Sequence, residues 1–275
     1  MPELPEVETV LQAIKPHLLG KRFTAIAIHI RKLRTPLVLA GHPELLHSTI
    51  VHLERRAKYI VLKLANGSGL LIHLGMTGTW RLEPADSHRQ KHDHVEFFLS
   101  SGLVLRYHDP RRFGQIVVLT QQENPLLHPL LRHLGPEPLH DDFNRKWLAD
   151  RCRGKKKPIK TLLMDNITVV GVGNIYASES LFRAGINPLL AAGKVTGKRI
   201  ARLVRAIKDV LQEAIDAGGT TVKDYASLDG KEGYFNRQLM VYGKTGQKCR
   251  QCKRGIIRQT YQSGRSTFYC PVCQR

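Results

Sequence analysis

Four of the five cysteines stand in two close pairs near the end of the chain: Cys249-x2-Cys252, then seventeen residues, then Cys270-x2-Cys273. Each C-x2-C turn brings two sulfurs within reach of one ion, and two such turns at this separation suit tetrahedral Zn(II) on four thiolates. With all four positions filled by protein the ion is structural, one per chain, and leaves no open position for catalysis. The segment is too short for a core of its own, so the metal supplies its folding free energy. A redox pair or chance spacing is the weaker alternative. A secreted disulfide framework does not fit, since Cys152 stands alone. At the other end the chain opens Met1-Pro2-Glu3-Leu4-Pro5-Glu6. First residues usually fray and are dispensable. A proline and an acid directly after the initiator are instead candidates for chemistry.

Three further stretches carry chemistry-bearing residues. In VVGVGNIYASE (Val169 to Glu179) Gly171 and Gly173 permit close backbone approach, Asn174 offers a side-chain amide, and a helix is expected from about Ala177. A helix start after a glycine-rich turn suits an anion such as a phosphate, although a tight helix-helix turn explains the same residues equally well. HLGMTG (His73 to Gly78) and DPRRFGQ (Asp109 to Gln115) place Met76 and Phe113 beside glycines at strand ends, with Arg111 and Arg112 next to one of them. Apolar wedges beside arginines on loops can enter a base stack and fill the space of an extruded base. For a lone Met or Phe, burial in the core is the ordinary alternative. Lys58 in RRAKY precedes a strand, and Lys155, Lys156, Lys157 and Lys160 form a cluster whose plain reading is a solvated surface.

The charge points the same way. Forty-three Lys and Arg against 23 Asp and Glu give +20 and a pI near 10. Such a surplus repels itself unless a polyanion is the partner, and nucleic acid is the leading reading. An anionic membrane surface is weaker, because the chain has no basic amphipathic helix with a large aromatic face. No apolar run is long enough to span a bilayer. The acidic start is not a secretory signal, so the expected location is the cytosol.

The elements that must position these residues follow from periodicity. Val7, Val10, Leu11, Ile14 and Leu18 have helical spacing, with Gly20 as the stop. From Arg22 the period changes to two, and strand-like runs continue through Gln115 to Leu119, with Asn66-Gly67 and Ser101-Gly102 as turns. A helix followed by an antiparallel β-sandwich or barrel is expected to about residue 130. Pro125 to Pro138 has the composition of a linker. Helical patterns follow at Asp142 to Cys152, Ile159 to Met164, Ala177 to Ala184 and Val195 to Ala217. Residues 244–275 hold eight Lys/Arg and no acid, and a β-hairpin is expected between the cysteine pairs. The expected division is 1–130, 131–243 and 244–275.

MPELPEVET, RRAKY, HLGMTG, DPRRFG, MDN, VVGVGNIYASE and the final cysteine pairs occur in this order. Together they resemble the bacterial formamidopyrimidine-DNA glycosylases, across residues 2 to 273. The resemblance implies an α+β multidomain protein: a helix-capped antiparallel β-sandwich, a helical helix-two-turns-helix domain and a C-terminal zinc-finger β-hairpin, with DNA bound between the halves. It implies a monomeric, nucleoid-associated cytoplasmic enzyme of base excision repair. That enzyme removes oxidised purines from double-stranded DNA and cuts the abasic site by β,δ-elimination. It makes Pro2 the nucleophile after loss of Met1, Glu3 the acid/base, Glu6 and Glu179 supporting groups, and Lys58 and Arg265 the elimination donors. His73, His92, Arg111, Lys155 and Asn174 become DNA contacts, and Met76, Arg111 and Phe113 fill the space of the everted nucleotide. The resemblance places the family's recognition loop between Thr220 and Tyr234, and because that loop varies within the family its residues do not specify the lesion. Two other readings compete: an endonuclease VIII-like enzyme for oxidised pyrimidines, against which Pro2-Glu3-Leu4-Pro5-Glu6 speaks, and a non-enzymatic zinc-ribbon DNA-binding regulator, which leaves Pro2-Glu3 and the Met/Arg/Phe tips without a role.

Overall fold

The computed structural model describes residues 2–121, 123–220 and 235–275. Residues 2–132 and 218–220 belong to one compact unit, and His133–Ala217 with 235–275 to a second. The expected loop from Thr220 to Tyr234 lies, apart from Thr220, outside the described residues.

The first unit begins with α1 (Leu4–Leu18), whose buried face is the predicted one: Val7, Val10, Leu11, Ile14 and Leu18. Its start is fixed by a reciprocal cap in which the Glu3 carboxylate accepts the Glu6 N–H and the Glu6 carboxylate accepts the Glu3 N–H at 2.8 Å. Eight strands follow: β1 (Phe23–Ile28), β2 (Ile50–Arg56), β3 (Tyr59–Leu64), β4 (Gly69–His73), β5 (Thr79–Pro84), β6 (Asp93–Leu99), β7 (Leu103–His108) and β8 (Gln115–Leu119). They form two four-stranded antiparallel sheets in the orders β1-β6-β7-β5 and β2-β3-β4-β8. Inward residues of both sheets and the face of α1 share one core, in which Phe23 packs on Phe97 at 5.0 Å and Trp80 on Tyr107 at 5.0 Å. This is the expected helix-capped sandwich. β5 is the one strand absent from the expected series: Trp80 and Leu82 do alternate with Thr79, Arg81 and Glu83, but two apolar residues before Pro84 make a weak signal.

The second unit contains α2 (Arg145–Cys152), α3 (Ile159–Leu163), α4 (Asn174–Arg183), α5 (Gly197–Asp216), β9 (Arg258–Gln262) and β10 (Arg265–Tyr269). Ile200, Leu203, Val204, Ile207, Val210 and Leu211 make one apolar stripe on α5 that packs with α4 into a separate core. α4 begins at Asn174, three residues before the expected start, because Gly173 serves as N-cap and the Ala177 N–H already bonds the Gly173 carbonyl at 3.0 Å. β9 and β10 pair as the expected antiparallel hairpin, with Arg265 opposite Gln262. Among the described residues no helix is long and apolar enough to cross a membrane.

Candidate DNA-contacting surfaces and metal site

Pro2 is buried, as are Glu3 and Glu6, which are 3% and 1% exposed. Glu6 reaches two parts of the chain at once. Its Oε2 accepts from Glu3 N, and its Oε1 accepts from Thr220 N at 2.9 Å and Thr220 Oγ1 at 2.8 Å. Gly219, at φ +80°, lies close enough that a Cβ would come within 3.3 Å of that oxygen. A chain start that ordinarily frays is therefore pinned inside the unit, and Glu6 does the pinning.

Lys58 follows Ala57, which has a φ of 56° in the turn between β2 and β3. Its charge acts on His73 at the end of β4. Burial, then the Lys58 and Arg34 cations, push the His73 imidazole from 6.5 down to about 4. The ring lies tilted against that of Tyr59, with centroids 4.8 Å apart, and its Nδ1 accepts the Gly75 N–H at 3.0 Å. Neutral His73 thus keeps its Nε2–H as the donor left over for a ligand.

The two tip loops form one object. Asp109, fully buried, accepts from Thr77 Oγ1 at 2.5 Å and from Gly114 N at 2.8 Å. Thr77 Oγ1 in turn accepts from Arg111 N at 3.2 Å. Gly75 has φ +69°, and a Cβ there would stand 2.3 Å from the Phe113 carbonyl carbon, so only glycine allows the tips to touch. On this platform Phe113 is 45% exposed, Met76 is half-buried, and the Arg111 guanidinium lies 4.8 Å from the Phe113 ring centroid. The exposure of Phe113 removes the core reading for that residue. His92 sits nearby at φ 76°, its ring 5.9 Å from that of His108 and 6.1 Å from that of His94. The residue after it, Asp93, is fully buried and accepts from Arg81 at 2.5 Å, Gln90 N at 2.7 Å and His108 at 2.9 Å.

In the second unit Asn174 is the first residue of α4, and its Oδ1 accepts from Lys160 Nζ at 2.5 Å. Lys160, read from sequence as part of a solvated cluster, is 1% exposed. Its ammonium also donates to Ser266 O at 3.1 Å and Thr267 Oγ1 at 2.9 Å, tying the start of α4 to β10 beside Arg265. Nothing in the local sequence separates Lys160 from Lys155 to Lys157, because its partners lie 14 and more than 100 residues away. Arg265 and Lys155 are exposed. Glu179 is 5% exposed and accepts three backbone N–H groups, of Met240, Val241 and Tyr242, at 2.8–2.9 Å. Burial raises its pKa against these bonds. It orders the strand-free segment that leads into the cysteine-bearing tail.

The sulfurs of Cys249, Cys252, Cys270 and Cys273 all lie within 4.8 Å of one another. Cys249–Cys273 and Cys252–Cys270 are each 3.8 Å apart, far too long for a disulfide, while a tetrahedron of thiolates about 2.3 Å from a central ion has edges of about 3.8 Å. N–H groups of Gly255 and Arg254 draw the Cys252 thiol down to about 6, whereas burial pushes Cys270 and Cys273 up. A bound cation lets all four ionise together. The cluster is built to hold one metal ion.

A capped sandwich with an ordered chain start, a wedge-bearing tip pair and a helical unit with a four-cysteine hairpin define a class of nucleic-acid-processing protein. Residues 1–116 match the family model of the formamidopyrimidine-DNA glycosylase N-terminal domain, and residues 134–226 match that of the formamidopyrimidine-DNA glycosylase H2TH domain. The chain is 51% identical to the formamidopyrimidine-DNA glycosylase of Alcanivorax borkumensis over 275 residues, all of both chains. Among solved structures it is similar to a point mutant of the Lactococcus lactis FPG in complex with DNA containing Fapy-dG. That match has a TM-score of 0.92 and 34% identity over all of both chains. It is also similar to the Lactococcus lactis Fpg in complex with DNA containing an abasic site, with a TM-score of 0.90 and 34% identity over 99% of each. The chain belongs to the formamidopyrimidine-DNA glycosylase family.

Proposed function

We propose that this chain is a bifunctional DNA glycosylase and abasic-site lyase of base excision repair. It excises 8-oxoguanine and formamidopyrimidines from double-stranded DNA, in the cytoplasm of a bacterium and on its nucleoid. The observation that carries the reading is the buried chain start, where Pro2 stands next to Glu3 and Glu6 and where Glu6 also holds Thr220, so that a terminal amine and a carboxylate are fixed together. The family's name and the lesion-bearing DNA of the neighbouring complexes support the substrate class.

With Met1 removed, Pro2 presents a secondary α-amine. An α-amine ordinarily titrates at about pH 8, against about 10.4 for a lysine, which leaves roughly a tenth of it as free base at neutral pH, more than a hundredfold above a lysine. The Pro2 nitrogen attacks C1′ of the damaged nucleotide, Glu3 exchanges a proton with the opening sugar ring, and the base leaves with a proton. The resulting iminium is a permanent cation that acidifies the C2′ hydrogen, so its loss expels the 3′ phosphate, and a second elimination expels the 5′ phosphate. Lys58 supports the first elimination. Arg265 serves the second as a phosphate clamp, since a guanidinium yields a proton poorly. Asn174, His73, His92 and Lys155 contact the DNA, and Met76, Arg111 and Phe113 fill the vacated stack.

The ion of the cysteine cluster is Zn(II), which the all-thiolate, tetrahedral donor set suits and which contributes folding free energy rather than chemistry. Residues 1–130 act as the catalytic sandwich, 131–243 as the helix-two-turns-helix DNA-binding domain and 244–275 as the zinc finger. Borohydride reduction with abasic DNA tests the core of the proposal. A covalent adduct at Pro2 is expected. Its absence from protein shown by mass to lack Met1 overturns the lyase reading, and faster excision of thymine glycol than of 8-oxoguanine opposite cytosine overturns the purine preference.

A further inference from the structure

The exposed side of α5 carries a second basic surface that the proposed repair reaction does not use. A cleft of ≈ 420 Å³ is lined by Arg145, Arg183, Lys198, Arg202 and Arg205, with Ala201 and Ala206 between them. Among the described residues Asp209 is its single acidic side chain. Lys198, Arg202, Arg205 and Asp209 recur at i, i+4, i+7 and i+11, which is one stripe along the helix. Arg145 is the first residue of α2 and Arg183 the last of α4. Asn174 starts α4 and Arg183 ends it, so the cleft borders the end of that helix about 13 Å from the proposed phosphate-binding turn.

These charges stand where the helices alone disfavour them. Lys198 and Arg202 are like charges one turn apart, and neither has an acid three or four residues away. The first turns of α2 and α5 contain no acid, and cations there oppose the helix dipole. None of Arg145, Lys198, Arg202 and Arg205 makes an ion pair with a described residue, while Arg183 is held by Glu213 at 2.6 Å. Among the described residues Arg145, Lys198, Arg202 and Arg205 are therefore unneutralised, at a cost to the helices that carry them.

We propose that this cleft docks an acidic segment of another protein, with carboxylates about one helical turn apart around one apolar side chain. The sign pattern selects a polypeptide over a second stretch of nucleic acid. Along α5 the surface turns from cationic at Lys198 to Arg205 to the carboxylate of Asp209, the Glu213 carboxylate beyond it being paired with Arg183. A phosphate backbone of uniform charge meets repulsion at that end, whereas a peptide can reverse its own sign there. The two alanines give a small apolar floor on which the apolar side chain sits.

The test uses the full-length protein saturated with a duplex containing a tetrahydrofuran abasic analogue, which occupies the lesion-binding surface. The probes are a short labelled peptide with glutamates one turn apart around a leucine, its glutamine counterpart, and a lesion-free duplex. The glutamate peptide binds in a salt-sensitive manner and the glutamine peptide does not. Affinity for the glutamate peptide falls roughly tenfold or more in Lys198→Glu/Arg202→Glu/Arg205→Glu, and by less in the corresponding triple glutamine variant, with lesion-duplex affinity unchanged in both. Equal peptide binding by wild type and the charge-reversed variant overturns the proposal. So does loss of lesion-free duplex binding in that variant without loss of peptide binding, which identifies a nucleic-acid surface instead.

Discussion

Replacing Asp109 with alanine tests whether the tip loops are one preorganised object. The carboxylate is fully buried and accepts from Thr77 Oγ1 and Gly114 N, so its removal leaves the Gly114 N–H without an acceptor and frees the hydroxyl that also holds Arg111 N. A buried donor left unsatisfied costs about 1–3 kcal/mol, and the lost charge-assisted bond to Thr77 brings the expected total to about 2–4 kcal/mol. For a unit of this size that corresponds to a melting temperature lower by roughly 5–15 °C. The functional effect is larger than the thermal one. Phe113 and Arg111 lose their fixed position, and misplacement of groups that act on a base still in the stack reduces excision by roughly tenfold to a hundredfold. Cleavage at a preformed abasic site, where no base has to be extruded, changes far less. Single-turnover release of 8-oxoguanine and strand cleavage at an abasic site, measured on the same preparation well below its melting temperature, separate the two. Asp109→Asn, which still offers one acceptor oxygen, recovers part of the excision rate. If the alanine variant excises at the wild-type rate, or if both reactions fall in proportion, the preorganisation argument is wrong.

Three other outcomes are expected. The imidazole of His73 is held down from 6.5 to about 4, so the unfolded chain binds a proton there that the folded chain refuses; this contribution is complete above pH 6.5 and is lost as pH falls toward 4. The lowered value corresponds to about 3 kcal/mol, and His73→Gln should flatten the fall in melting temperature across that window; parallel curves for variant and wild type would contradict it. Lys160→Met leaves Asn174 Oδ1, Ser266 O and Thr267 Oγ1 without their common donor and should weaken binding of an abasic-analogue duplex by roughly tenfold while metal content stays at one ion per chain; undiminished affinity would remove Lys160 from the interface. Chelation that strips the four-cysteine site should abolish duplex binding with little loss of helical circular dichroism, since the helical core is built from other residues, and full affinity after verified metal loss would show that the hairpin keeps its shape unaided.

The sequence by itself determined what depends on near neighbours or on period. The cysteine spacing places four sulfurs around one point because each C-x2-C turn is local. The stripe from Val7 to Leu18 produces α1, and strand-like apolar runs mark seven of the eight sandwich strands. The ordered series of short motifs identifies the family. The tertiary structure decided what depends on residues far apart in the chain. Glu6 is visible in sequence as the third helical position after Glu3, but its grip on Thr220 spans 214 residues. Lys160 looks like its exposed lysine neighbours until α3, α4 and β10 close around it. Asp109 and Thr77, 32 residues apart, become one hydrogen-bonded hinge between two tips only when the sheets bring the ends of β4 and β7 together. Helical and strand periods follow from backbone geometry over a few residues. The partner of a buried charge is chosen by chain topology, which no short stretch of sequence contains.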